Sequence, residues 1–258
     1  MAGVPMNSSG SKGHPNATRP ATTTDTLYDG AVSLRQPARG YRVNVDALLL
    51  AAFAAHGRRA DLAVDLGAGV GSVALGLHHL GAATRFALVE RETSLLALAD
   101  ENARTAGLQG TCFAHDLALG LPESLRQAAE LVVSNPPFFD PDHARLGPDA
   151  QKTRARFGDL GPFVAAAAAA LSGARSRAAF VYPARELNHF LTCAERVKLI
   201  PKRLRLVHAD VAAPARVALI ELRRARPGGL VILPPLFEWL EKGVRTSEVT
   251  RILAGKRL

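Results

Sequence analysis

The stretch AVDLGAGVGSVAL, residues 63–75, runs from an apolar strand through an acid and a glycine turn into a helix start. Gly67, Gly69 and Gly71 let a backbone turn tightly and approach a ligand that a Cβ would exclude. Such a turn has meaning only at the carboxyl end of a strand in an alternating β/α chain, so it constrains the fold more than any other stretch. The flanking pattern complies. Extended segments at 61–65, 85–89, 111–114, 131–133 and 178–182 alternate with helical ones at 71–80, 94–105, 161–172 and 184–197, plus a weaker helix near 123–129. This alternation predicts an α/β fold with a parallel sheet covered by helices on both faces. An earlier helix spans 46–55, with Asp46 as its N-cap and Gly57 as its stop. The stretches 204–208 and 215–222 leave no room for a helix between them. They predict an antiparallel hairpin closing a sheet of five or so parallel strands.

The glycine turn predicts a nucleotide-like ligand without naming it. Gly69-x-Gly71-x-x-Ala74 satisfies the dinucleotide fingerprint, and Glu90 follows Gly71 by nineteen residues, where an acid takes ribose hydroxyls. NAD and an NAD(P)-dependent oxidoreductase therefore stay open on this stretch. Two acids tilt the reading. Asp65, at the strand tip, would repel a pyrophosphate but welcome an amino-acid ammonium, which S-adenosyl-L-methionine carries. Asp116, after the third strand, suits an adenine amino group or, equally, a helix N-cap.

The second informative stretch is LVVSNPPFFD, residues 131–140. Ligands bind at the carboxyl edge of a parallel sheet, and this segment leaves a strand there. Asn135 offers a carboxamide acceptor. Pro136 and Pro137 have fixed φ and no N–H, so the backbone carbonyls beside them face outward with few local donors. Phe138, with its neighbour Phe139, adds a flat surface for stacking. An exocyclic amine or carboxamide nitrogen is a poor nucleophile because its lone pair is delocalised. Two acceptors aimed at its hydrogens release that pair, and the ring holds the substrate in line with a sulfonium methyl. No strong base is required, so the absence of a catalytic Cys or His is no objection.

Composition limits the partners. The net charge is +9, and residues 198–258 hold thirteen Lys/Arg against five Asp/Glu. This basic C-terminal quarter points to a polyanion, most simply RNA. Cys112 and Cys193 form no CxxC or Cys/His cluster, so buried, reduced thiols are expected and neither a disulfide framework nor a metal site. Residues 1–26 read as a flexible Ser/Thr/Gly/Pro-rich tail and 27–258 as the folded domain. With no apolar leader and no run long enough to cross a bilayer, a cytoplasmic protein is expected.

With both motifs in place, the chain resembles the class I S-adenosylmethionine-dependent methyltransferases that methylate amino groups through an NPP loop. Within them it looks most like the bacterial tRNA (adenine-N6) methyltransferases that modify the adenine beside the anticodon of a valine tRNA. LRQPARGYRVNVDALLLAAFAA (34–55), SNPPFF (134–139), TRARF (153–157), PARVALIEL (214–222) and RTSEVTRIL (245–253) carry the likeness alongside the glycine turn. The resemblance implies a seven-stranded Rossmann-like methyltransferase sheet, mostly parallel, and S-adenosyl-L-methionine as cofactor. It implies that Asp65, Gly67, Gly69, Gly71, Glu90 and Asp116 hold the cofactor and that Gln36, Tyr41, Arg42 and Asp46 close over its methionine end. It also implies that Asn135 and Pro136, beside Pro137, take the target amine and that Phe138 stacks on the base. Many members have Tyr where this chain has Phe138. Related enzymes methylate guanine N2 in rRNA or glutamine N5 in release factors, so those substrates remain alternatives, as does a non-catalytic RNA-binding protein.

Overall fold

The first described strand begins inside the stretch expected to be tail. In the structure, a computed structural model that describes residues 21–39, 43–137, 159–224 and 228–256, Thr22–Leu27 forms strand β1. It pairs antiparallel with β2 (Val32–Pro37). The expected boundary at 26 thus falls within this strand. Four β-branched threonines suit a pleated ribbon, although they lack the apolar alternation that marks a core strand.

Helix α1 (Val45–Ala54) follows, with Asn44 rather than Asp46 at its N-cap. Asp46 lies in the first turn and is 2% exposed. It is drawn inward by Arg216, which reaches both its carboxylate oxygens at 2.6 and 3.0 Å. Almost every residue of α1 is buried, as expected of a helix that is apolar on all sides.

The alternating units then appear in order: β3 (Ala60–Leu66), α2 (Ser72–His79), β4 (Ala83–Glu90), α3 (Thr93–Thr105), β5 (Gly110–Ala114), β6 (Leu131–Ser134), α4 (Leu160–Ala170), β7 (Arg177–Pro183) and α5 (Leu187–Arg196). The weak helix expected near 123–129 is only a 3-10 turn at Glu123–Leu125. The chain ends with β8 (Leu199–His208), β9 (Ala215–Arg224), β10 (Val231–Ile232), β11 (Leu236–Phe237), the small hairpin β12 (Trp239–Glu241) with β13 (Val244–Arg245), and α6 (Ser247–Leu253).

The sheet runs β5-β4-β3-β6-β7-β9-β8, with β10 and β11 both added in parallel along β8. Only β9 opposes its neighbours, so the expected hairpin forms with its second strand slotted between β7 and β8. Strand order reverses between β3 and β6, which puts the crevice for a ligand at their carboxyl ends. Helices α1, α2, α3 and α6 cover one face and α4 and α5 the other, each over its own apolar core.

Both cysteines are free thiols, Cys193 buried but Cys112 only partly so, at an edge strand. The antiparallel strand also divides the basic C-terminal quarter. Buried Glu221 of β9 gathers His56, Arg203 and Arg223 toward the amino-terminal edge of the sheet. Burial works against its charge, but those partners more than offset it and hold its carboxyl at about 2. Arg205 pairs with Glu248 through two hydrogen bonds. Arg216 bridges Asp46 to Glu238. Much of the surplus charge is thus matched inside the fold, which a count along the sequence could not reveal.

Replacing Arg216 with Leu leaves two buried carboxylates without their shared partner. With the guanidinium 37% exposed, the expected loss is about 2–3 kcal/mol, at or below the low end for a broken buried pair. Urea unfolding measures it.

Candidate active site

Two loops leave adjacent strands at the point where the strand order reverses. The first is the glycine turn after β3. Gly67, Gly69 and Gly71 all have positive φ, at 70°, 56° and 87°. At Gly67 a Cβ would also lie 2.7 Å from the Phe163 ring of α4. Both demands exclude a side chain there.

The hydrogen bonds of this turn are taken by carboxylates. Asp65 is 2% exposed and accepts from the Ala74 N–H at 3.1 Å, capping α2 from the strand tip. Gly71, the residue at the N-cap position, has no side chain to do so. Glu90 accepts from the Gly69 N–H at 2.9 Å and, through its other oxygen, from Glu92 N at 2.9 Å. The donors of Gly67 and Ala68 go to Val89 O. A pyrophosphate would need these donors free and would meet two acids. The same ring of acceptors suits a ligand with a cationic amino group and ribose hydroxyls.

Burial pushes the Asp65 carboxyl up to about 7; the Ala74 N–H opposes this and the charge of Glu90 adds to it. Asp116 is the N-cap of a 3-10 turn at Leu117–Leu119, accepting from Ala118 N at 2.9 Å through one oxygen. The capping alternative is thus realised, and its other oxygen is not needed for it.

The second loop leaves β6. Asn135 is half-buried, Pro136 buried and Pro137 exposed; Phe138 and the basic stretch 153–157 lie outside the described residues. What holds this loop against the glycine turn is Ser134. Its hydroxyl is fully buried and donates to Leu66 O at 2.7 Å, one residue before Gly67. Reading the sequence missed this serine, whose only signal was a polar residue closing an apolar strand.

Asn102 of α3 was missed as well. It is 2% exposed, donates to Arg35 O and Val70 O at 2.9 Å each, and accepts from Arg35 N at 2.7 Å. One side chain thereby clasps β2 to the glycine turn. An asparagine inside a helix is poorly placed by propensity, which was the available hint.

Gln36 is buried, with its amide NH₂ donating to Asp25 and its carbonyl accepting from Val43 N at 2.8 Å. It anchors the far end of the segment that contains Tyr41 and Arg42, which lie outside the described residues. Asp46, engaged by Arg216, follows on the first turn of α1. Of the residues singled out in the sequence, Asp65, the three glycines and Glu90 are thus brought together by direct contacts, with Asn135 on the adjacent strand end.

Comparison with known proteins finds similarity to methyltransferases. Residues 44–149 match the methyltransferase small domain family. A tRNA1(Val) (adenine(37)-N6)-methyltransferase of Flavobacterium johnsoniae is 28% identical over 199 residues, covering 74% of this chain and 82% of the relative. The crystal structure of a predicted O-methyltransferase, Atu636, from Agrobacterium tumefaciens superposes with a TM-score of 0.64 at 19% identity, covering 82% of this chain and 97% of that one. M. jannaschii TYW2, solved in complex with AdoMet, gives 0.53 at 13% identity, with 81% and 90% covered.

The Asp65 carboxyl gives a pH signature. Its folded pKa of about 7 lies above the unfolded value, so between about 4 and 7 the folded state holds more of its proton than the unfolded state. Its contribution therefore makes stability fall as pH rises through that window and level off above it. Asp65→Asn keeps the acceptor for Ala74 N and removes the proton. Urea unfolding across pH 4.5–8 is expected to show wild type losing ground to the variant as pH rises; a constant difference would contradict the assignment.

Proposed function

We propose that this chain, a class I S-adenosyl-L-methionine-dependent methyltransferase, methylates an exocyclic amino group of RNA, with adenine N6 in tRNA as its target. The observation that carries this reading is the pairing of an acid-lined glycine turn with an Asn-Pro-Pro segment on the adjacent strand end. The turn fits the cofactor: it is built on three glycines of positive φ, and its donors are already satisfied, Gly69 N by Glu90, Ala74 N by Asp65, and Gly67 N and Ala68 N by Val89 O. That arrangement disfavours a nicotinamide dinucleotide. Support for RNA comes from the relative that acts on adenine 37 of a tRNA.

In this reading Glu90 takes the ribose hydroxyls, Asp65 faces the amino-acid ammonium, and Gly67, Gly69 and Gly71 let the backbone approach. Asp116 uses its remaining oxygen on the adenine amine. Gln36 and Asp46 hold the two ends of the segment carrying Tyr41 and Arg42, which closes over the methionine end. Bound there, S-adenosyl-L-methionine supplies an electrophilic methyl on a sulfonium. Asn135 Oδ1 and the Pro136 carbonyl accept the two hydrogens of the target amine and favour a pyramidal nitrogen. Pro137 keeps the segment rigid, and Phe138 stacks on the base. Ser134 is a positioning residue that fixes the amine acceptors relative to the glycine turn. An anticodon-loop adenine is unpaired and needs little work to enter such a site.

Mass spectrometry of nucleosides from RNA treated with the protein and S-adenosyl-L-methionine is expected to show N6-methyladenosine. N2-methylguanosine instead would move the target to guanine, and no methylated nucleoside would remove RNA as substrate. Asn135→Ala is expected to lower kcat by about a hundredfold or more while cofactor affinity stays within about twofold. Retained turnover would dismiss Asn135 as the acceptor.

A further inference from the structure

The basic C-terminal quarter first suggested an RNA surface, yet most of its described cations have partners within the fold. Arg203 and Arg223 pair with Glu221, Arg205 with Glu248, and Arg216 with Asp46 and Glu238. Lys202 and Arg224 bond to carbonyls of Gly228 and Ala168. The hairpin β12–β13 is different.

Its position follows from the topology. Strand β9 opposes both β7 and β8, so β8 runs parallel with β7 and ends at the same sheet edge as β3 and β6. Strand β11 extends that end, with Phe237 beside His208. The hairpin begins there, with Glu238 N and Trp239 N donating to His208 O and Ala209 O at 2.9 Å each. Counting β6, β7, β9, β8 and β11, four strand spacings separate it from the Asn135 loop, about 19 Å. Its base is closed by Thr246, whose hydroxyl donates to Phe237 O at 2.7 Å. Glu238, on Arg216 and hence on Asp46, ties the same base to the start of α1.

Its side chains are unusual for a surface. The Arg245 guanidinium lies 4.2 Å from the centre of the Trp239 ring. Its Nη1 is buried with no hydrogen-bond partner. At the tip, Leu240 and Val244 are 69% and 44% exposed, flanking Glu241, Lys242 and Gly243. A tethered hairpin with a Trp–Arg stack, a tip lysine and bare apolar side chains has the composition of a single-strand platform. Bases stack on its flat or apolar groups while cations meet phosphate. The single acid at the tip, Glu241, is outnumbered by Lys242 and Arg245.

We propose that the β12–β13 hairpin binds the unpaired RNA strand flanking the target nucleotide, with Trp239, Leu240 and Val244 offering stacking surface and Arg245 and Lys242 meeting phosphates. This rests on the RNA reading above.

The test measures steady-state methylation of an anticodon stem-loop RNA, RNA binding, cofactor affinity and thermal melting for three variants. Trp239→Ala is expected to raise the KM and Kd for RNA about tenfold, with kcat and cofactor affinity unchanged. Lys242→Glu, at the exposed tip where folding is not at stake, is expected to weaken RNA binding about fivefold and flatten its salt dependence by about one phosphate. Lys198→Glu, exposed at the opposite edge of the sheet, is expected to stay within about twofold of wild type. RNA methylation with KM unmoved by Lys242→Glu, or moved equally by Lys198→Glu, overturns the hairpin while leaving the RNA reading standing. Absence of any RNA methylation by wild type overturns both.

Discussion

One guanidinium, Arg216, joins three parts of the chain through two buried carboxylates. It reaches Asp46 at the start of α1, Glu238 at the base of the last hairpin, and stands itself at the start of β9. Both carboxylates are almost fully buried. Burial works against the Arg216 charge, but the two acids more than offset this and hold its pKa above the ordinary value. Such a cluster adds little net stability against an apolar substitute, yet removing one member is costly, so it acts mainly as a register device. It sets where α1 begins, just after Val43, whose N–H donates to Gln36.

The neighbouring crevice shows how a fold shared by nucleotide-binding proteins can be committed to one ligand chemistry. A glycine turn before a helix ordinarily presents N–H groups to an anion. Here Asp65 and Glu90 fill that role from within the protein. Ser134 then ties the end of β6, and with it Asn135, to that turn. The two acids and the Asn-Pro-Pro segment are thus held together by a parallel ladder one strand spacing wide.

Periodicity made most of the fold legible. The alternating units and the closing hairpin follow from local apolar pattern and turn chemistry, and so did the glycine and NPP loops as features of strand ends. The misreadings have a common cause. Asp46 looks like an N-cap because the cap preference is local, but a distant arginine pulls it inward. Thr22–Leu27 looks like tail because a ribbon with one weakly apolar strand carries no core signal. Asn102 and Ser134 act through contacts 67 and 68 residues away in sequence. The basic quarter looked like one patch because charge was counted along the chain; the antiparallel strand carries its members to opposite edges and brings Arg203, Arg205, Arg216 and Arg223 to acids.

The sequence alone determined the α/β class, the glycine turn and an Asn-Pro-Pro segment at a strand end, because each depends on residues close together in the chain. Tertiary structure alone decided which donors of that turn are already satisfied, which cations pair within the fold, and that the last hairpin stands at the carboxyl edge of the sheet. Those outcomes depend on strand order and on side chains meeting across the sheet, and local pattern carries no information about either.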